Sequence, residues 1–165
     1  MRSFNPTRAI RVSASGKLGT TVNRRVRRAR GEDQPSSPST MHINSVTREI
    51  IAGGITVHSR LGPGLLESAY KACVAYELRK RGLNVESEVP LPLIYDGVKL
   101  DVGFRIDHLV EDCVIVEVKA ASRILDVHDA QLLSHLVLSN HRVGLRINFH
   151  VLRLKDGIRR MVNRL

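Results

Sequence analysis

The run Cys113-Val114-Ile115-Val116-Glu117-Val118-Lys119-Ala120-Ala121 is apolar except for Glu117 and Lys119. The two-residue period of a strand places those two side chains on one face. Runs of this kind form buried central strands, where a charge costs several kcal/mol unless it is paired or holds a metal. A salt bridge on a solvated sheet face is the plain explanation, and spacing alone favours it. Asp107, on the preceding predicted strand, adds a second carboxylate within hairpin reach, and two carboxylates converging beside a lysine can hold a hard divalent cation. Register sets a condition on this site. A two-residue turn at Glu111-Asp112 pairs Asp107 with Val116 and sends Asp107 and Glu117 to opposite faces, so the site requires a three-residue loop or a bulge.

The elements that must position these residues follow from the pattern of apolar positions. Asn44 or Ser45 is a plausible N-cap, and Val46, Ile50, Ile51, Ile55 and Val57 predict a first helix to about Leu61. Gly62-Pro63-Gly64 breaks it. Leu66, Ala69, Tyr70 and Cys73 predict a second helix from Leu65 to Arg81, with basic residues in its last turn before Gly82. Glu67 and Tyr70 share a face of that helix, and Gly64 at its start permits close backbone approach. Strands are predicted over Val85–Tyr95, over Val98–Leu109 after an Asp96-Gly97 turn, and over Cys113–Lys119. Pro90 and Pro92 remove ladder donors and put the first of these at an edge or a bulge. A helix then runs from Asp126 or His128 to about Leu138, followed by a strand over Val143–Phe149 and a closing strand or hairpin around Asp156-Gly157. His128, Gln131 and His135 fall at i, i+3 and i+7 and can line one helical face.

Composition sets the outer limits. A chain of 165 residues with 42% hydrophobic and 25% charged residues accommodates one domain with a real core. Its net charge of +10 is unevenly spread, because residues 1 to 40 carry nine basic and two acidic side chains. Removing those from the totals of 26 and 16 leaves only +3 for the remainder. Residues 1–41, with Arg24, Arg25, Arg27, Arg28, Arg30 and a Pro/Ser-rich stretch, read as a disordered basic tail and 42–165 as the domain. The tail is a polyanion-binding arm, a targeting peptide, or translated upstream sequence with the start at Met41. Cys73 and Cys113 stand 40 positions apart, outside any CxxC pattern, which argues against a disulfide framework or zinc cluster and fits a reducing cytoplasm. No stretch approaches a membrane span. The dinucleotide fingerprint, the GxxxxGK[ST] loop, the GxSxG elbow and HExxH spacing are all missing from the sequence.

Asp107 followed by Glu117-Val118-Lys119 resembles the D…ExK motif of the PD-(D/E)xK nuclease superfamily. The predicted α-α-β-β-β-α-β order is similar to its α/β core, a mixed central sheet flanked by helices. More narrowly, Leu61-Gly62-Pro63-Gly64-Leu65-Leu66-Glu67-Ser68-Ala69-Tyr70 resembles the motif of the bacterial GxxExxY proteins, with Gly64, Glu67 and Tyr70 in the named positions. Tyr95–Asp101, Ala130–Leu133 and Ile147–Phe149 resemble that family as well, while His135 stands where it has Tyr.

The resemblance implies a Mg²⁺-dependent nuclease, with Mn²⁺ as a substitute. Asp107, Glu117 and the Val118 carbonyl would be metal ligands, and Lys119 would orient the attacking water and stabilise phosphate charge. Glu67 would complete the metal site, and Gln131 would bind water or phosphate. Tyr70 is expected to pack with its hydroxyl tied down. The expected substrate is nucleic acid, DNA in preference to RNA, and a core of about 120 residues suggests a homodimer. The competing class is a non-catalytic nucleic-acid-binding or assembly module on the same fold. With three Tyr, three Phe and no Trp, single-strand stacking is its less attractive version.

Overall fold

The apolar faces found in the sequence assemble into two helical layers around one sheet. The structure, a computed structural model, describes residues 40–100 and 103–163. The tail expected over the first 41 residues therefore lies outside the described residues up to position 39, as does Asp101 of the Tyr95–Asp101 segment.

Helix α1 (Thr40–Leu61) starts ahead of the caps expected at Asn44 or Ser45. Its buried stripe begins earlier, since Ile43 as well as Val46, Ile50 and Val57 enters the core. Mid-helix glycines would ordinarily weaken such an element. Here Gly53 admits α2 (Glu67–Lys80), because a Cβ at that position would stand 2.7 Å from Leu78 Cδ2.

Strands β1 (Val85–Pro90), β4 (Arg105–Val110), β5 (Val114–Lys119), β6 (Val143–Asn148) and β7 (Ile158–Val162) form a five-stranded sheet in the order β1-β4-β5-β6-β7. Only β5 and β6 are parallel, joined by the crossover helix α3 (Asp126–Leu138). One sheet face, with Val110, Val114, Val116 and Val118, packs with α1 and α2, while Leu109 and Ile115 pack with Leu132 and Leu136 of α3. This alternation explains why β5 is apolar almost throughout: it is covered on both faces. The chain thus has the mixed α/β architecture expected of it.

Among the strands, three assignments differ in kind from the expected ones. The strand expected over Val85–Tyr95 is two pieces, because Pro90 and Pro92 interrupt its donors; β1 is an edge strand, and β2 (Leu93–Tyr95) pairs with β3 (Val98–Leu100) in a separate ribbon. The strand expected over Val98–Leu109 is divided likewise between β3 and β4. Asp96 and Gly97 both take positive φ, as the tight ribbon turn requires. Near the C-terminus, Asp156-Gly157 belongs to a 3₁₀ turn (Leu154–Gly157) that leads into β7.

Tyr70 is fully buried, stacked on Phe149 at 4.4 Å between ring centres. Its hydroxyl donates to the Gly62 carbonyl at 2.5 Å and accepts from the Leu65 amide at 3.2 Å, fixing the loop between α1 and α2. No described helix is long and apolar enough to cross a membrane.

Two substitutions test this packing in thermal or urea unfolding. Tyr70→Phe leaves the Gly62 and Leu65 groups without their partner and is expected to cost about 1–3 kcal/mol. Gly157→Ala drives a Cβ into the Asn148 carbonyl and is expected to cost about 3 kcal/mol, while the surface glycine variant Gly97→Asn stays within about 1 kcal/mol of wild type.

Candidate active site

The connection between β4 and β5 is the three-residue loop Glu111-Asp112-Cys113, with Glu111 and Asp112 at φ +52° and +49°. The resulting register pairs Val110 with Val114, Leu109 with Ile115 and His108 with Val116. Extended by one step, it sets Asp107 opposite Glu117. This is the register that the sequence left as a condition.

The ladder itself stops at His108 and Val116. Beyond it the Val118 amide donates to Asp107 Oδ2 at 2.9 Å, so the carboxylate takes the place of a strand carbonyl in the seam between β4 and β5. On the other side of β4, pairing with β1 skips from Ser87–His108 to Val89–Ile106. Glu88, opposite Asp107 in that gap, has φ +54°, a left-handed conformation that non-glycine residues rarely adopt. Irregularity in both ladders at the same level turns Asp107 out of a simple up-down alternation. It lies near Lys71 of α2 and near Glu117, which points toward α3.

Each carboxylate is buried, Asp107 to 5% and Glu117 to 1% exposure. Lys119 Nζ lies 2.9 Å from Glu117 Oε1. His135 Nδ1 lies 3.4 Å from Glu117 Oε2, a looser contact than that of Lys119 with Oε1. Burial opposes the Glu117 charge, yet His135 and Lys119 outweigh it and hold its pKa below the ordinary carboxylate value. Asp107 goes the other way. Burial, then the neighbouring Glu117 charge, push its pKa up against Lys71 and the Val118 amide. Lys71, less buried, gains from the same ion pair: burial works against its charge, but Asp107, Glu67 and Glu88 outweigh it and raise its pKa. Each carboxylate thus has a lysine partner, and the two differ in how far that partner offsets the cost of burial.

Of the other expected residues, Glu67 faces Lys71 at 3.5 Å, and Gln131 is half-buried on α3, one turn before His135. Gln131 and His135 border a groove whose walls include Leu93, Phe104 and Val127. That groove is mostly apolar and meets the acidic centre only at His135. His128 turns away to its own helix start, where Nδ1 accepts from the Leu125 amide at 3.2 Å.

Sequence reasoning missed Lys71, Glu88 and Asn148. Lys71 is four residues beyond Glu67, a spacing that reads as same-face; Glu88 gives no sequence signal, since its backbone conformation brings it in. Asn148, buried at the end of β6, accepts from the Ala121 amide at 3.1 Å and donates to the Ala121 carbonyl at 2.9 Å, clamping the chain just after Lys119.

A hard divalent cation suits this donor set, because it would relieve the repulsion between Asp107 and Glu117 and engage the Glu117 oxygen that has no close hydrogen bond. Among the described residues no three His, Cys, Asp or Glu side chains already converge as a cage. The Asp107 oxygens are instead shared between Lys71 and the Val118 amide.

The Asp107 shift has a consequence for stability. A carboxyl whose folded pKa is raised favours folding at low pH, and that contribution is lost as pH rises through the folded value. In metal-free buffer at pH 7.5, Asp107→Asn should therefore melt no lower than wild type. A fall of several degrees would show that the charged form stabilises the fold.

A sequence model described as PD-(D/E)XK nuclease superfamily matches residues 44–161, which contain all but the last residue of the sheet, together with Glu67, Glu88, Asp107, Glu117 and Lys119. No curated protein and no solved structure gives a significant match. With most of its length matched, and with Asp107, Glu117 and Lys119 gathered at one break in a mixed sheet, the chain belongs to the PD-(D/E)XK nuclease superfamily.

Proposed function

We propose that the domain hydrolyses phosphodiester bonds of nucleic acid, DNA in preference to RNA, with Mg²⁺ as cofactor and Mn²⁺ as a substitute. The observation that carries this reading is the pair of buried carboxylates, Asp107 and Glu117, on neighbouring strands where the ladder opens, with Lys119 Nζ 2.9 Å from Glu117 Oε1. Asp107, Glu117 and the Val118 carbonyl would hold the ion, supported by Glu67. When bound, it supplies Lewis acidity at the phosphate and makes an attacking water more acidic.

The rest of the chemistry belongs to the chain. Lys119, fixed by Glu117, offers an ammonium that orients the water and stabilises charge developing on the phosphate oxygens. Gln131, one turn before His135 on α3, would bind water or phosphate. Asn148 keeps the Lys119–Ala121 backbone from shifting as substrate charge arrives.

Within the superfamily we assign the chain to the GxxExxY type, on Gly64, Glu67 and a Tyr70 hydroxyl that ties the motif's own loop. We read the working form as a homodimer. The domain is small, and the β2–β3 ribbon leaves Ile94, Tyr95 and Val98 more than half exposed. The Lys71–Asp107 ion pair favours one alternative, a non-catalytic binding or assembly module, because it already compensates Asp107 without a metal.

Cleavage of plasmid, linear duplex, single-stranded DNA and RNA by the full chain, in Mg²⁺, Mn²⁺ or EDTA, separates these readings. Metal-dependent cleavage of DNA is expected, reduced at least about 100-fold in Asp107→Ala, Glu117→Ala and Lys119→Ala proteins that keep their circular dichroism. Equal inertness of wild type and variants on every substrate would leave the binding module. Light scattering is expected to give twice the chain's 18.4 kDa, and a monomer mass at micromolar concentration would remove the dimer.

A further inference from the structure

Lys71 sits at a position that the D…ExK motif does not account for. Its Nζ lies 2.6 Å from Asp107 Oδ1, 3.5 Å from Glu67 Oε1 and 3.9 Å from Glu88 Oε1. Carboxylates from α2, β1 and β4 thus converge on one ammonium. Glu88 reaches it from a left-handed backbone position in the gap of the β1–β4 ladder. Next to this cluster, Glu117 is 1% exposed and keeps Oε2 without a hydrogen-bond partner. Three carboxylates therefore share the charge of one lysine.

We propose that Lys71 is a built-in counter-cation, holding the place of the divalent ion in the metal-free protein and displaced from Asp107 when the metal binds. The inference rests on the metal-site reading above. Asp107 Oδ2 is committed to the Val118 amide, so the oxygen that Lys71 holds is the one left for a metal. An ammonium at 2.6 Å and a dication cannot share that oxygen without strong repulsion. Lys71 has somewhere to go. Its side chain is only partly buried, its stem is flexible, and Glu67 and Glu88 are already within 4 Å of its charge. Glu67 accordingly acts on the site through Lys71, as the acceptor of the displaced ammonium. The exchange keeps a positive charge against Asp107 at all times, which lets two buried carboxylates persist while the protein waits for its metal.

The test is Mn²⁺ binding to the full chain, followed by the loss of the free-ion electron paramagnetic resonance signal and by calorimetry. Lys71→Gln, which removes the competing charge, is expected to bind Mn²⁺ roughly tenfold or more tightly than wild type. Lys71→Met should give the same shift, and Lys71→Arg, which keeps the charge, should stay near wild type. Asp107→Asn should lose binding. Thermal melts without metal establish that each variant is folded, and agreement of the Gln and Met proteins guards against a local misfold in one of them. Equal or weaker Mn²⁺ affinity in both neutral variants, with wild type still binding, overturns the displacement while leaving the metal site in place. Failure of wild type and every variant to bind Mn²⁺ at millimolar concentration overturns the metal site and the proposal together.

Discussion

Two carboxylates buried side by side at a break in a β-sheet are the constraint on which the rest of this structure depends. Removing a carboxylate from water costs several kcal/mol, and placing a second beside it adds repulsion that a low-dielectric interior does little to screen. The features gathered around them answer that cost. Lys119 and His135 compensate Glu117, Lys71 and the Val118 amide compensate Asp107, and the interrupted pairing of β4 with both its neighbours makes room for those partners. The compensation is incomplete. Asp107 remains harder to ionise than a free aspartate, and one Glu117 oxygen is left without a hydrogen bond. A site in this condition trades local stability for an affinity toward positive charge, the trade expected where function requires preorganisation.

The scaffold can carry this cost because its apolar layers are well fastened on both sides. Helix α1 presses Gly53 against Leu78 of α2, Tyr70 stacks on Phe149 and bolts down the loop ahead of α2, and α3 seals the opposite face through Leu132 and Leu136. The parallel β5–β6 pair at the centre keeps its register through to Lys119 and Asn148. Glu117 and Lys119 therefore stand on a strand held by β6 along its whole length, and Asp107 stands on the neighbouring strand where the ladder opens. Catalytic geometry is best held on such elements, with flexibility confined to the long side chains that must move.

Much of the architecture was legible from residue order. Alternation in Val114–Lys119 showed a covered strand with two charges on one face, the Asp96-Gly97 turn was visible as a ribbon turn, and Pro90 and Pro92 marked an edge. These features are local, decided by the preferences of a few adjacent residues. Boundaries were less legible where tertiary contacts overrule local preference. Helix α1 extends to include Ile43 because the core accepts that side chain, and β1 and β2 part company because the two prolines deny them one continuous partner.

The sequence by itself determined which residues carry charge into the sheet: Asp107, Glu117 and Lys119 are conspicuous because their neighbours are apolar, and burying apolar neighbours buries them too. It could not determine whether they meet. A one-residue change in the Glu111–Cys113 loop would reverse the face of every side chain on one strand relative to the other, and that choice was settled by two residues taking left-handed conformations. Nor could the sequence assign Lys71 and Glu88 to the site. One arrives by the packing of a helix against a sheet, the other by a break in strand pairing, and both are long-range events that leave no periodic trace in the chain.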